Sequence, residues 1–202
     1  MKVIGITGGV GAGKSQILSY LGEHTRCRII MADRVAHELE EPRGCCYRPI
    51  VSVLGAEVLT EEGRIDRAKM AARIFADEKL LMQINEIVHP AVKEYITAVI
   101  AEERENDGID YLFIEAALLL ENGYKEIVDE MWYIHTDEQV RRDRLRSSRG
   151  YSDEKINSIM QGQLSEEDFL RQCPVVIDNS GTLDSVYKQI DEKLGEDLCQ
   201  KQ

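Results

Sequence analysis

Gly8-Gly9-Val10-Gly11-Ala12-Gly13-Lys14-Ser15 fits the phosphate-binding pattern G-x-x-x-x-G-K-[ST] without a gap. Glycines let backbone N–H groups turn towards phosphate oxygens, and the following helix adds its positive N-terminal end. Lys14 is expected to reach the outer phosphates, and the Ser15 hydroxyl to bind the magnesium ion that bridges them. The stretch, called the phosphate loop below, predicts binding of a nucleoside triphosphate.

The residues on either side give this pattern the setting that it needs. A β-branched run at 2–7 precedes the loop and a helical run at 16–21 follows it. The order of strand, glycine turn and helix favours a phosphate-binding loop over a Gly-rich turn that binds nothing.

Composition limits the remaining possibilities. With 202 residues, 43% of them hydrophobic, the chain is long enough for one substantial core, and we expect a single domain over 1–202. The net charge of -12 opposes general binding to nucleic acid or to anionic membranes. No stretch has the length of a membrane span or the pattern of a signal peptide. We therefore expect a cytoplasmic protein without nucleic-acid or membrane partners, and a monomer or weak homo-oligomer.

The metal-binding residue types show no metal-site pattern. The five cysteines form neither an even set nor a C-x-x-C pair, and the four histidines are scattered. Reduced thiols are expected rather than a disulfide framework or a structural zinc site.

Strand-like and helix-like segments alternate along the chain. After the first strand, short apolar runs at 28–32, 110–115, 131–134 and 175–177 are separated by helical sequence, which predicts a parallel five-stranded sheet covered by helices. Helical spacing at 47–54, 66–75 and 78–105, with no convincing strand, predicts a helical insertion at about 46–106.

Acidic residues follow two of these strands. Asp33 comes directly after the second strand, where ligands bind in open α/β folds. It is a candidate to accept a proton from an attacking hydroxyl or to cap the next helix, and the two roles are compatible. Glu115 ends the third strand and is a candidate to support magnesium or its waters. Glu121 competes with it for that supporting role, or caps a surface helix.

Arginines are concentrated at 141–149, although the net charge of the whole chain is negative. Arg142, Arg146 and Arg149 fall at i, i+4 and i+7 and share one helix face, and planar guanidinium groups suit polyphosphate oxygens. We expect a lid at about 139–165 that closes over the triphosphate. The alternative is a solvated helix whose arginines pair with neighbouring acids.

Several further motifs occur in order along nearly the whole chain. Besides 6–15, they are Met-Ala-Asp-Arg-Val-Ala-His at 31–37, Asp-Arg at 66–67, Asn-Glu-Ile-Val-His-Pro-Ala-Val at 85–92, Leu-Leu-Leu-Glu at 118–121, the spacing of Gln139, Arg142 and Arg146, Gln163, and Val-Ile-Asp-Asn-Ser-Gly at 176–181. Together they resemble the dephospho-CoA kinase family. The resemblance implies a three-layer P-loop kinase fold with a helical substrate-binding insertion and an arginine-bearing lid.

The resemblance also implies a reaction, in which the γ-phosphoryl group of ATP passes to the ribose 3′-hydroxyl of dephospho-CoA with the help of Mg²⁺. This is the last step of coenzyme A synthesis. By position, Asp33 matches the family's proposed general base, and Lys14, Arg142 and Arg146 its cationic groups. Nucleotide contacts are implied for Gly9, Gly11, Ala12, Gly13, Lys14, Ser15, Gln16 and Asn179. Acceptor contacts are implied for Asp33, His37, Arg67, His89, Leu118 and Glu121.

The chain departs from the family pattern at a few positions. Gln16 replaces the usual threonine, and Glu115 replaces a frequent Asp. Ala117 replaces a common proline, and Cys173-Pro174 replaces the usual Ala-Asp. Two other functions remain open on the residues alone. One is a kinase for another small hydroxyl acceptor such as a nucleoside, and the other is an ATP-gated switch, which has no need of a base such as Asp33.

Overall fold

Five strands form one sheet in the computed structural model, which describes residues 1–116 and 118–199. The strand order is β2-β3-β1-β4-β5, and β1 pairs in parallel with both β3 and β4, as β4 does with β5. The strands are β1 (Lys2–Thr7), β2 (Cys27–Met31), β3 (Tyr111–Glu115), β4 (Glu130–His135) and β5 (Val175–Asp178). The predicted α/β class with a parallel five-stranded sheet is confirmed.

Helices connect these strands. Within the described residues they are α1 (Lys14–His24), α2 (Ala32–Leu39), α3 (Tyr47–Leu54), α4 (Arg67–Ala76), α5 (Glu78–Asn106), α6 (Glu138–Arg149), α7 (Asp153–Gln161), α8 (Glu166–Gln172) and α9 (Leu183–Cys199). Short 3-10 turns occur at Ala56–Val58 and Tyr124–Glu126. No helix of the described residues is long and apolar enough to cross a membrane.

The core is built from strands that are buried on both faces. All five residues of β3 are buried, as are five of the six in β1, which is the pattern of a sheet covered by helices on each side. On one face Ile4, Phe113 and Trp132 pack with side chains of α1 and α9. Burial of each such large side chain stabilises the folded chain by about 1.5–3 kcal/mol. This packing therefore stabilises the strands that lead to the phosphate loop.

Parallel pairing brings the carboxyl ends of the strands to one edge. Ile6 of β1 lies opposite Glu115 of β3, and His135 of β4 lies opposite Asp178 of β5. The phosphate loop leaves β1 at this edge and Asn179 follows β5 there. The register of the strands thus brings the phosphate loop and Asn179 to the same edge of the sheet.

The chain divides into two compact units. The first comprises Met1–Ile29 and Asp107–Gln202, and the second comprises Ile30–Asn106. In the second unit, α2, α3 and α4 each pack against the long helix α5. The predicted division into one domain with an insertion at 46–106 and a lid at 139–165 stays a prediction.

The described thiols are not in disulfides. Cys27, Cys45, Cys46 and Cys173 are free, and the side chain of Cys199 lies outside the described part of the chain. Burial raises the pKa of the Cys46 thiol to about 12 and that of Cys173 to about 11. Both buried thiols are therefore protonated near neutral pH.

Candidate functional site

The phosphate loop joins β1 directly to α1, whose first residue is Lys14. Gly11 and Gly13 each have φ of 84°, a left-handed conformation that L side chains rarely adopt. Lys14 Nζ donates a hydrogen bond to the Gly8 carbonyl at 2.7 Å and lies 3.5 Å from Glu115 Oε1. Its ammonium group is thus held at the start of the loop.

The far side of the loop is closed by the end of β5. Asn179 is 2% exposed, and its Nδ2 donates to the Ala12 carbonyl at 2.7 Å. A Cβ on Gly13 would collide with that amide, so no larger residue fits there. Thr136 donates to the same carbonyl from Oγ1 at 3.1 Å. The sequence-predicted contact residues Ala12, Gly13 and Asn179 are therefore adjacent.

Helix α6 lies against the loop through residues that the sequence did not single out. Arg141 donates from Nε to the Val10 carbonyl at 3.0 Å and from Nη2 to Gln163 Oε1, and a Cβ on Gly9 would collide with its guanidinium group. Arg144 donates from Nη2 to the Asn179 carbonyl at 2.9 Å. Leu145, the one buried residue in α6, is packed against Gly11.

The two predicted lid arginines are bound by carboxylates in this structure. Arg142 Nε donates to Glu138 Oε1 at 2.7 Å, and Arg142 Nη1 donates to Asn157 at 2.7 Å. Arg146 pairs with Asp143 at 2.8 Å and with Asp153 at 2.7 Å. Their role towards a nucleotide stays a prediction.

Buried polar atoms at the same edge are without partners among the described residues. They are Thr7 Oγ1, Arg144 Nη1 and Asn179 Oδ1. A buried polar atom left unbonded costs about 1–3 kcal/mol, so such atoms are commonly held for a ligand or for water. Because Arg144 and Asn179 both line the loop beside Gly13, these atoms fit the polar part of a bound nucleotide.

The described oxygen ligands fit Mg²⁺. This ion is usually held by one or two protein oxygens together with substrate phosphates. Ser15 is the second residue of α1 and is exposed, and Glu115 is 9% exposed beside Lys14. These two residues would hold the ion. Glu121 and Leu118 are both exposed in the turn that follows β3, so Glu115 is the better placed of the two predicted carboxylates.

The helical unit, Ile30–Asn106, brings three predicted acceptor residues together. Burial and the charge of Arg67 lower the pKa of His37, while the charge of Asp33 raises it, so Arg67 and Asp33 both lie within electrostatic range of His37. Asp33 is exposed in the first turn of α2. The N-cap of α2 is Met31 and makes no side-chain cap hydrogen bond, so the interpretation of Asp33 as a helix cap is wrong.

His89 belongs to the same unit but lies on α5, directly before Pro90. Its side chain is half-buried, and burial lowers its pKa. An imidazole of this kind is neutral near pH 7 and offers one donor and one acceptor. Its predicted contact with the acceptor stays a prediction.

The structure describes the location and exposure of two further departures from the family pattern. Gln16 is exposed on the first turn of α1. Cys173 is buried at the end of α8 and Pro174 is exposed before β5. Ala117 lies outside the described residues.

Solved structures share this fold. Dephospho-CoA kinase from Campylobacter jejuni superposes with a TM-score of 0.75, at 19% identity and over 100% of each chain. Shikimate kinase from Acinetobacter baumannii superposes with a TM-score of 0.56, at 14% identity, over 97% of this chain and 94% of that one. The sheet order, the glycine loop and these likenesses define a P-loop kinase.

Sequence comparison is more specific. A profile described as dephospho-CoA kinase matches residues 2–185. The dephospho-CoA kinase of Carboxydothermus hydrogenoformans is 34% identical over 190 residues, covering 94% of this chain and 91% of that protein. The chain belongs to the dephospho-CoA kinase family.

Proposed function

We propose that the chain transfers the γ-phosphoryl group of ATP to the 3′-hydroxyl group of the ribose of dephospho-CoA, giving CoA and ADP. The observation that carries the proposal is the loop from Gly8 to Ser15, with Lys14 held at its start by the Gly8 carbonyl and Glu115. Membership in the family supports dephospho-CoA as the acceptor.

The proposed mechanism relies on alignment and charge more than on covalent help. Phosphoryl transfer places negative charge on the equatorial oxygens of the transferring group, and Lys14 and the arginines of α6 neutralise it. When bound, Mg²⁺ neutralises further charge on the outer phosphates. Asp33 orients the acceptor hydroxyl and accepts its proton as the new bond to phosphorus forms.

The helical unit supplies the acceptor side of the proposal. Asp33 and Arg67 both lie within electrostatic range of His37, so a phosphate or ribose group of the acceptor bound beside His37 would meet both a cation and the base. Binding energy from distant parts of dephospho-CoA then fixes the position of its ribose. His89, Leu118 and Glu121 are proposed to contact the acceptor as well.

An acceptor assay tests the proposal. ADP formation is followed with ATP, Mg²⁺ and either dephospho-CoA or adenosine, and the position of the new phosphate is read by ³¹P NMR. We expect turnover that depends on dephospho-CoA and a product phosphorylated at the 3′ position. Equal or faster turnover with adenosine would favour a nucleoside kinase, and ATP binding without any acceptor-dependent turnover would favour a nucleotide switch.

A further inference from the structure

The guanidinium of Arg141 occupies a distinctive place on the phosphate loop. It covers Gly9 and bonds to the Val10 carbonyl, which puts it at the first half of the loop. Lys14 Nζ is held at that same end by the Gly8 carbonyl. Because the lysine of this motif reaches the β- and γ-phosphates, the outer phosphates belong at the end of the loop that Arg141 covers.

Arg141 is in no salt bridge with a described residue. Its two bonded acceptors, the Val10 carbonyl and the Gln163 side-chain oxygen, are both neutral. Among the described residues no carboxylate lies within salt-bridge distance of it, whereas Arg142 and Arg171 each have one and Arg146 has two. A guanidinium held by neutral oxygens keeps its attraction for an anion, and a paired one has to break an ion pair first.

The guanidinium group of Arg141 is also partly buried. Burial lowers the pKa of its guanidinium, while Tyr133 and Glu138 act in the opposite direction. An arginine stays charged at neutral pH even so. A partly buried positive charge without a counter-ion is complementary to a group that brings negative charge, and ATP brings it to this end of the loop.

We propose that Arg141 is the arginine of α6 that contacts the γ-phosphoryl group of ATP, and that Gln163 positions it for that contact. The inference rests on the proposed function, since it assumes that the bound anion is a nucleoside triphosphate. It assigns a role to a residue one position before Arg142, on the face of α6 that carries Leu145. Gln163, in the turn between α7 and α8, fixes the guanidinium without cancelling its charge.

Nucleotide binding without an acceptor tests the contact. Dissociation constants for AMP-PNP and for ADP, each with Mg²⁺, are measured by calorimetry on wild type, Arg141→Gln and the control Arg171→Gln. Arg171 is an exposed arginine of α8 that loses the same charge. A hydrogen bond to a charged group is worth about 1.5–3 kcal/mol, so Arg141→Gln should weaken AMP-PNP binding by about 10- to 150-fold more than ADP binding.

The same measurement separates this contact from simple support of the loop. Equal weakening of AMP-PNP and ADP binding, or no weakening of either, would overturn the proposal. Arg171→Gln should leave both constants as in wild type. If Arg141→Gln does not fold, Arg141→Lys replaces it and should show the same selective loss to a smaller extent, because lysine keeps the charge but not the planar donor pair.

The role of Gln163 has its own test. In Gln163→Glu a carboxylate replaces the neutral acceptor, so Arg141 becomes ion-paired and its attraction for the γ-phosphoryl group falls. AMP-PNP binding should weaken relative to ADP binding, in the direction of Arg141→Gln, whereas Gln163→Met should weaken it less. Unchanged or stronger AMP-PNP binding in Gln163→Glu would contradict a positioning role. These readouts use no acceptor, so they remain decisive even if dephospho-CoA is not phosphorylated.

Discussion

The carboxylates of α2 differ in their surroundings although they are close in sequence. Asp33 lies in the first turn and is exposed. Glu38 is also exposed but lies near the other end of the helix. The charge of Asp33 raises the pKa of His37, while the charge of Arg67 lowers it. The proposed base therefore has a matched control on its own helix.

Replacing Asp33 by Asn should remove the proton acceptor and keep the shape of the side chain. General-base catalysis is worth about 10²–10⁴ in rate, so kcat should fall by that factor while the affinity for ATP changes little. Steady-state kinetics and calorimetry on Asp33→Asn and on Glu38→Gln check this. Glu38→Gln should behave as wild type, and an unaltered kcat in Asp33→Asn would remove Asp33 from the mechanism.

Most secondary-structure elements were predictable from local sequence. The runs at 47–54 and 78–105 correspond to α3 and α5, and 175–177 to β5, within one residue at each end. Hydrophobic spacing is sufficient there because each segment buries one continuous apolar set. The second strand was less exact, since Ala32 already belongs to α2.

The face of α6 that meets the loop was not predictable from the arginines alone. Helical spacing shows which arginines share a face, and it singled out Arg142 and Arg146 without showing where that face points. The better signal was Leu145, which is the buried residue of this largely polar helix. Arg141 is one turn before it, and both lie against the loop. The tertiary contact between α6 and the glycines of the phosphate loop determines which face of α6 meets the loop.

Helix α5 carries a half-buried histidine whose titration should affect stability. The pKa of His89 is lowered by burial in the folded chain, so below its ordinary value of 6.5 the unfolded chain binds more protons than the folded one. The free energy of unfolding should therefore fall as pH decreases from 6.5 towards the lowered pKa. Urea unfolding at pH 7.5 and 5.0 should show a smaller loss for His89→Gln than for wild type. An equal loss in both proteins would contradict this cause.

The residues proposed to bind the two substrates belong to different compact units of the chain. The phosphate loop, Arg141 and Asn179 belong to the unit Met1–Ile29 and Asp107–Gln202, and Asp33, His37 and Arg67 belong to Ile30–Asn106. The helical unit begins earlier than the insertion expected at 46, because α2 packs against α5.

Hydrogen exchange with each ligand alone should reveal that division. A ligand present at 100 times its dissociation constant stabilises the state that binds it by about 2.7 kcal/mol, which slows exchange wherever opening breaks the site. AMP-PNP with Mg²⁺ should slow exchange mainly in the phosphate loop, α1 and α6, and dephospho-CoA mainly in α2, α4 and α5. Mass spectrometry of peptides from both states measures this. Protection of the nucleotide unit by dephospho-CoA, with none in Ile30–Asn106, would show that the helical unit does not bind the acceptor.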